Sequence, residues 1–348
     1  MRIQDVRQHL RQYGARPLHE EAVLRAWTHG LRLDSGRRDP NDFLPARLRA
    51  ALPAFSAELA ALAEVRSQHP AADGSVRLLV VLADGQTIES VLLPRDGVCV
   101  STQVGCAVGC AFCMTGRGGL QRQLASAEIV AQVALARARR PVRKVVFMGM
   151  GEPAHNLDNV LDAIELLGTA GGIAHKNLVF STVGDLRVFE RLARATVKPA
   201  LALSLHSTYA ERRAALLPRA PRIDPEVLVA LADRYASQTT YPIQYQWTLL
   251  EGVNDGDDEV HRIAALLSGK YAVMNFIPYN SVDGLAFKRP SWERAAWMAR
   301  ALHRRGVLTK LRHSAGQDVD AGCGQLRTRA AAAGSPCGST ANATSPAG

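Results

Sequence analysis

From residue 99 onward, short apolar runs alternate with helix-patterned segments, and few architectures accept that alternation. The runs are KVVFMGMG (144–151), NLVFSTVG (177–184), ALALSLH (200–206), IQYQWTLLEG (243–252), AVMNFIPYN (272–280) and LTKLRHS (308–314). Helix-like stretches at 126–140, 156–168, 185–195, 225–237, 257–267 and 291–305 separate them. A repeated βα pattern predicts a parallel sheet, because each helix returns the chain to the same edge. Six or seven units suit a full or partial barrel, with chemistry at the C-terminal ends of the strands. Periodicity alone does not separate a barrel from a doubly wound sheet. Upstream, VRLLVVLADGQTIESVLLP (76–94) reads as a β-hairpin around Asp84-Gly85. Residues 1–65 read as helical, with apolar residues at helical spacing. The expected divisions are a helical accessory domain (1–70), a hairpin linker (71–98), an α/β barrel (99–326) and a low-complexity, disordered tail (327–348).

No apolar run reaches the length of a membrane span. The opening MRIQDVRQHLRQYG is amphipathic and charged, unlike a secretory leader. The expectation is a cytoplasmic monomer, in a compartment where clustered cysteines serve metals or catalysis rather than disulfides. The formal net charge is +10, and residues 1–50 hold ten Arg against six acids. An excess of cations favours a polyanionic partner such as RNA, since neutralising phosphates releases counterions. A GC-rich genome would also raise arginine, so charge alone does not decide.

The chain has six cysteines. Four lie in CVSTQVGCAVGCAFC: Cys99, Cys106, Cys110 and Cys113. Cys106-x3-Cys110-x2-Cys113 is a compact trio with no fourth thiol close downstream. Structural zinc and ordinary iron–sulfur sites both close with four ligands. Three ligands on one loop leave a metal position open to a substrate or cofactor. Gly105 and Gly109 free the loop backbone, and Phe112 could shield the last thiol. A zinc knuckle completed by a distant His is the competing reading. Cys323, in DAGCGQL, has glycine on both sides, which allows close backbone approach. Cys337 falls in the tail and matches nothing.

A C-x3-C-x-aromatic-C loop after a strand resembles the radical SAM signature. CVSTQVGCAVGCAFC, FMGMGEPAHN, FSTVG, LALSLH, IPYN and DVDAGCGQL together, in this order over residues 76–326, resemble the RlmN/Cfr family of radical SAM RNA adenine methyltransferases. The resemblance implies a partial (βα)6-type barrel and a [4Fe–4S] cluster on Cys106, Cys110 and Cys113. It implies that the open iron binds S-adenosylmethionine and that the reduced cluster cleaves it to a 5′-deoxyadenosyl radical. An electron donor such as a flavodoxin-type reductant follows from that chemistry. It implies S-adenosylmethionine contacts at Gly151, Glu152, Ser181, Ser204, Leu205, His206 and Asn280. Read alone, His206 is a structural histidine and GMGEP a plain turn.

The resemblance also assigns Cys323 as methyl carrier, Cys99 as the thiol that releases the product through a transient disulfide, and Glu89 as the base. By its residue type and place alone, Glu89 would be a solvated hairpin carboxylate. The implied product is an adenosine methylated at an sp2 carbon, C2 before C8, in 23S rRNA and in tRNA as a further substrate. One departure stands out. The family often has an Arg-Gly pair before the acidic and cysteine block, whereas this chain reads RHSAGQDVDAGCGQL. Two alternatives remain open. A radical SAM enzyme acting on a protein or small molecule has no use for Cys99 and Cys323. A zinc-stabilised RNA-binding module has no use for GMGEP or SLH.

Overall fold

The computed structural model describes residues 1–282 and 284–328. The expected tail from 329 on, Cys337 included, lies outside the described residues. The chain opens with helices α1 (Ile3–Gln12), α2 (Pro17–Thr28), α3 (Pro40–Phe43) and α4 (Ala46–Ala61). Strands β1 (Ala63–Pro70), β2 (Val76–Leu82), β3 (Thr87–Leu93), β4 (Gly97–Cys99), β5 (Gln103–Gly105) and β6 (Leu120–Gln123) follow. The repeating part is α5 (Ser126–Arg137), β7 (Lys144–Phe147), α6 (Leu157–Gly168), β8 (Leu178–Thr182), α7 (Leu186–Arg194), β9 (Ala200–Ser204), α8 (Ala210–Leu216), α9 (Pro225–Thr239), β10 (Ile243–Leu249), α10 (Asp257–Leu267), β11 (Ala272–Pro278), α11 (Trp292–His303) and β12 (Thr309–Leu311).

The main sheet runs β1-β2-β3-β4-β7-β8-β9-β10-β11-β12. From β4 to β12 every pairing is parallel. The βα alternation is therefore realised, and apolar runs such as Val145–Phe147 and Ala200–Leu203 are buried, as expected for strands covered on both faces. Among the described residues, the first and last strands of this sheet are not paired to each other, so the barrel is partial.

One expectation fails at the join. The helical pattern extends to residue 65, but the chain becomes strand at Ala63. Residues 63–70 pair antiparallel with β2, from Ala63 opposite Leu82 to Pro70 opposite Val76. Pairing with a preformed neighbour overrides the helix propensity of Ala-Glu-Val. The expected divisions near 70 and 98 thus fall within one continuous sheet. The N-terminal helices also share its core: Val6, Leu24, Trp27 and Leu48 belong to the same apolar cluster as Ile129 and Val133 of α5. The Ile3 amide donates to Ser126 Oγ at 2.9 Å, and Arg137 donates to the Thr28 carbonyl at 2.9 Å. Among the described residues, no helix is long and apolar enough to cross a membrane.

Candidate active site

The cysteine loop leaves β5 and returns through β6. These two short strands form an antiparallel ribbon, and the Cys106 amide closes it on the Gly119 carbonyl at 3.0 Å. Gly105 has φ +76°, and a Cβ there would lie 2.0 Å from the Gly119 carbonyl oxygen. Only glycine fits. The loop is held from outside by α8 and the turn after it. The Ala111 amide donates to the Leu216 carbonyl, and Arg219 donates to Ala107 O at 3.2 Å.

The trio sits in an apolar nest with Val108, Phe112, Val183, Leu216, Leu217 and Tyr279. Burial pushes the Cys106 thiol up to about 12. Burial, with the neighbouring Cys113, Cys106 and Glu152, pushes Cys110 well above the ordinary thiol value. Such thiols ionise only when a metal takes their charge. Among the described residues, no three Cys, His, Asp or Glu side chains converge on a single metal ion.

Glu152 follows β7 and is buried. Its carboxylate accepts hydrogen bonds from the Ala154 amide at 3.1 Å, the Val183 amide at 3.0 Å, and the Thr182 hydroxyl. Burial outweighs these bonds and raises its pKa to about 7. Gly151 has φ +107°, and a Cβ there would meet Gln103 at 2.7 Å. Ser181 and Ser204 lie half-buried near the ends of β8 and β9. Leu205 continues the β9 edge, its amide bonded to Gln246 O. His206 is buried in the left-handed region at φ +59°. Its Nδ1 accepts from the Thr248 amide at 3.0 Å, and its ring meets Phe112 edge-on at 4.9 Å. Burial and Arg213 depress its pKa to about 3, so the ring is neutral.

Two residues that sequence reasoning missed hold this face. Asn254 is fully buried, donates to the His206 and Thr248 carbonyls and accepts from the Leu250 amide, each at 2.8 Å. Arg213 is 3% exposed and donates to the Val183 and Ser204 carbonyls. Its Nε has no partner among the described residues, and burial lowers its pKa to about 10. A buried guanidinium with an unsatisfied N–H favours an anion beside it. Only the placement of Arg213 shortly after SLH hinted at this.

The segment around Cys323 is stitched onto the cysteine loop. The Met114 amide donates to Gly324 O at 2.8 Å, and Thr115 Oγ1 donates to Leu326 O at 2.6 Å. Asn280 spends its amide hydrogens on Ser314 Oγ and the Cys323 carbonyl, both at 2.9 Å. Of the expected cofactor contacts, it is therefore the one tied to the thiol segment. Cys323 opens to solvent, yet protein crowds its sulfur and raises its pKa, opposed by a bond with Ser314. Cys99, on β4, is buried and its thiol stands at about 12, through burial first and the nearby Cys323 second. The fold thus brings together two thiols far apart in sequence. Both are free, as are the three on the loop.

Glu89 departs from the expected solvated carboxylate. It is fully buried on β3 and ion-paired with Arg77. It also accepts from the Arg327 amide at 2.8 Å, while Arg77 donates to Val319 O at 2.6 Å. The pair clamps the Cys323 segment at both ends.

The family model described as the Radical SAM superfamily matches residues 100–264. A protein named "Probable RNA methyltransferase" from Aromatoleum aromaticum is 74% identical over 334 residues, covering 96% of this chain and 94% of the relative. One of the same name from Pseudomonas aeruginosa is 65% identical, covering 95% and 96%. The chain belongs to the radical SAM RNA methyltransferases. A crystal structure of a radical SAM methyltransferase from Sphaerobacter thermophilus superposes with a TM-score of 0.80 at 33% identity, covering 94% of this chain and 98% of that one. The cofactors of this family are a [4Fe–4S] cluster and S-adenosylmethionine. The donor set fits them: three soft thiols on one loop, a buried carboxylate and an unsatisfied guanidinium.

Proposed function

We propose that this enzyme methylates an sp2 carbon of adenosine, C2 before C8, in 23S rRNA and also in tRNA, through an S-methylcysteine on Cys323. Cys106, Cys110 and Cys113 would hold the cluster. Gly151, Glu152, Ser181, Ser204, Leu205, His206 and Asn280 would hold S-adenosylmethionine. When bound, the pair supplies a methyl group and a hydrogen-abstracting radical. The rest of the chemistry falls to the chain.

The observation that carries this reading is the pairing of Cys99 with Cys323 beside the cysteine loop. Cys323 gives up its proton and accepts a methyl group, becoming a thioether. Hydrogen loss from that methyl group leaves a carbon that bonds to adenine, so protein and RNA become covalently joined. Cys99, deprotonated, then attacks the Cys323 sulfur. A disulfide forms as the sulfur–carbon bond breaks, the released methylene carbon takes up a proton to become the methyl group, and the one surplus electron left by the radical addition would pass to the cluster, so that the methylated base departs. Burial keeps Cys99 protonated at rest, which protects it from idle oxidation. Glu89 takes the adenine proton in this scheme. A radical enzyme acting on another substrate class would leave two adjacent thiols without a task.

The test separates the two thiols. Cys323→Ala has no carrier and should yield no covalent RNA. Cys99→Ala still alkylates and adds to adenine, so it should accumulate as protein crosslinked to RNA, visible by gel shift and mass spectrometry. Recovery of Cys99→Ala free of RNA with normal turnover would overturn the mechanism.

A further inference from the structure

We infer that the exposed Trp292–His313 stack at the mouth of the site is a platform for an unpaired nucleobase of the RNA substrate, next to the base being modified. The inference rests on the reading of the protein as an RNA methyltransferase. Trp292 is the first residue of α11 and is 48% exposed. A single exposed aromatic is ordinary; what sets this one apart is its partner. Its ring lies nearly parallel to His313, with centroids 4.8 Å apart and planes at 18°. The two residues come from different elements, so the stack depends on the fold.

Its place gives it meaning. Helix α11 starts on the side of the sheet where β11 ends, which is the site face of a βα unit. His313 adjoins Ser314, whose hydroxyl bonds both Asn280 and the Cys323 thiol. The platform is therefore one residue from a direct partner of the methyl carrier. His313 also lies in RHSAG, where the sequence departs from the common family pattern. The charge around it suits a phosphate backbone. Between residues 288 and 313 there are eight Lys and Arg against one acid, Glu293. Lys288 and Lys310 are exposed. Cations for the backbone and an aromatic face for a base form the usual recognition of single-stranded RNA.

The experiment compares binding of a short fluorescein-labelled oligoadenylate with the same strand annealed to oligouridylate, by anisotropy at fixed salt. Trp292→Ala should weaken single-strand binding roughly ten-fold and leave duplex binding unchanged. Trp292→Phe should restore most of the loss, and His313→Ala should show the same selectivity. Unchanged single-strand affinity in Trp292→Ala, with a wild-type melting curve, would overturn the platform alone. So would an equal loss on both probes, which would mark a general electrostatic effect. A wild-type protein that binds neither probe would overturn the RNA reading itself.

Discussion

Single side chains in this site are held in states that water would not give them, and each such state predicts a response. Glu152 has a pKa of about 7 because it is buried. A carboxyl raised in the folded state binds its proton more tightly folded than unfolded. Its contribution to stability is therefore full below the unfolded value, about 4.3, and is lost as pH rises through 7. In the ligand-free protein, the stability of the wild type relative to Glu152→Gln should fall by a few kcal/mol between pH 4 and pH 8, measured by urea unfolding. A flat difference would show that the carboxylate is as well solvated folded as unfolded. Glu89 poses a different question, because it clamps as well as serving as the proposed base. Glu89→Gln leaves Arg77 buried without its counter-charge, at a cost of about 3–5 kcal/mol. Adding Arg77→Met should recover most of that stability. Methyl transfer should stay lost in the double variant; recovered turnover would leave Glu89 with the clamp alone. The burial of this pair was partly legible. A hairpin turning at Asp84-Gly85 places residues 77 and 89 on one face, as diagonal neighbours. Residue type alone suggested solvent.

At the scale of elements, the βα strands and helices were readable because each is a continuous patterned run. The cysteine loop was readable from spacing. What closes the loop was not: β5 and β6 are three and four residues long and have no pattern of their own. Their pairing exists because Gly105 lets two backbones meet and Gly119 turns the chain at φ +69°. Gly105→Ala should therefore disrupt the ribbon while leaving the main sheet intact. The expected result is near-normal far-UV circular dichroism with less than about half the reconstituted iron. Full iron loading would show that the loop tolerates a wider ribbon. Strand β1 was misread for the opposite reason, since its first residues satisfy a helix pattern and only β2 makes them a strand. Asn254 is similar. Its three bonds join the end of β10 to the turn after β9, and neither partner is near it in pattern. Asn254→Ala should cost about 2–4 kcal/mol of stability and loosen His206, read as a changed NMR signal from its ring.

For the whole molecule, the N-terminal helices and the barrel share one core and one sheet. Removing residues 1–65 would therefore strip part of β1 from β2 and expose Ile129 and Val133. The truncated protein should aggregate rather than report on RNA affinity. Charge reversal at the exposed Arg37 and Arg38 is the cleaner probe of the basic N-terminal segment. The expected result is a shallower dependence of RNA affinity on salt, by about one in log–log slope for each phosphate no longer neutralised. An unchanged slope would show that these arginines are compositional. Composition changes near residues 70 and 98, which is why the chain reads as divided there. The fold joins it at those places, because sheet hydrogen bonds depend on backbone and are blind to composition.

Cys323 follows the last described strand of the sheet, so it is synthesised well after the cysteine loop. At roughly 5–20 residues per second, it leaves the ribosome on the order of tens of seconds after Cys106, Cys110 and Cys113. During that interval the three loop thiols are already present while Cys323 is not. Iron delivered in that interval would meet the loop cysteines before Cys323 exists, with Cys99 in β4. Cys323 arrives afterwards, and its segment docks on the loop through Met114 and Thr115. Chain order thus separates Cys323 from the loop thiols in time, before the folded structure separates them in space. A circular permutation that moved the Cys323 segment to the N-terminus would keep every contact described above and lose that order.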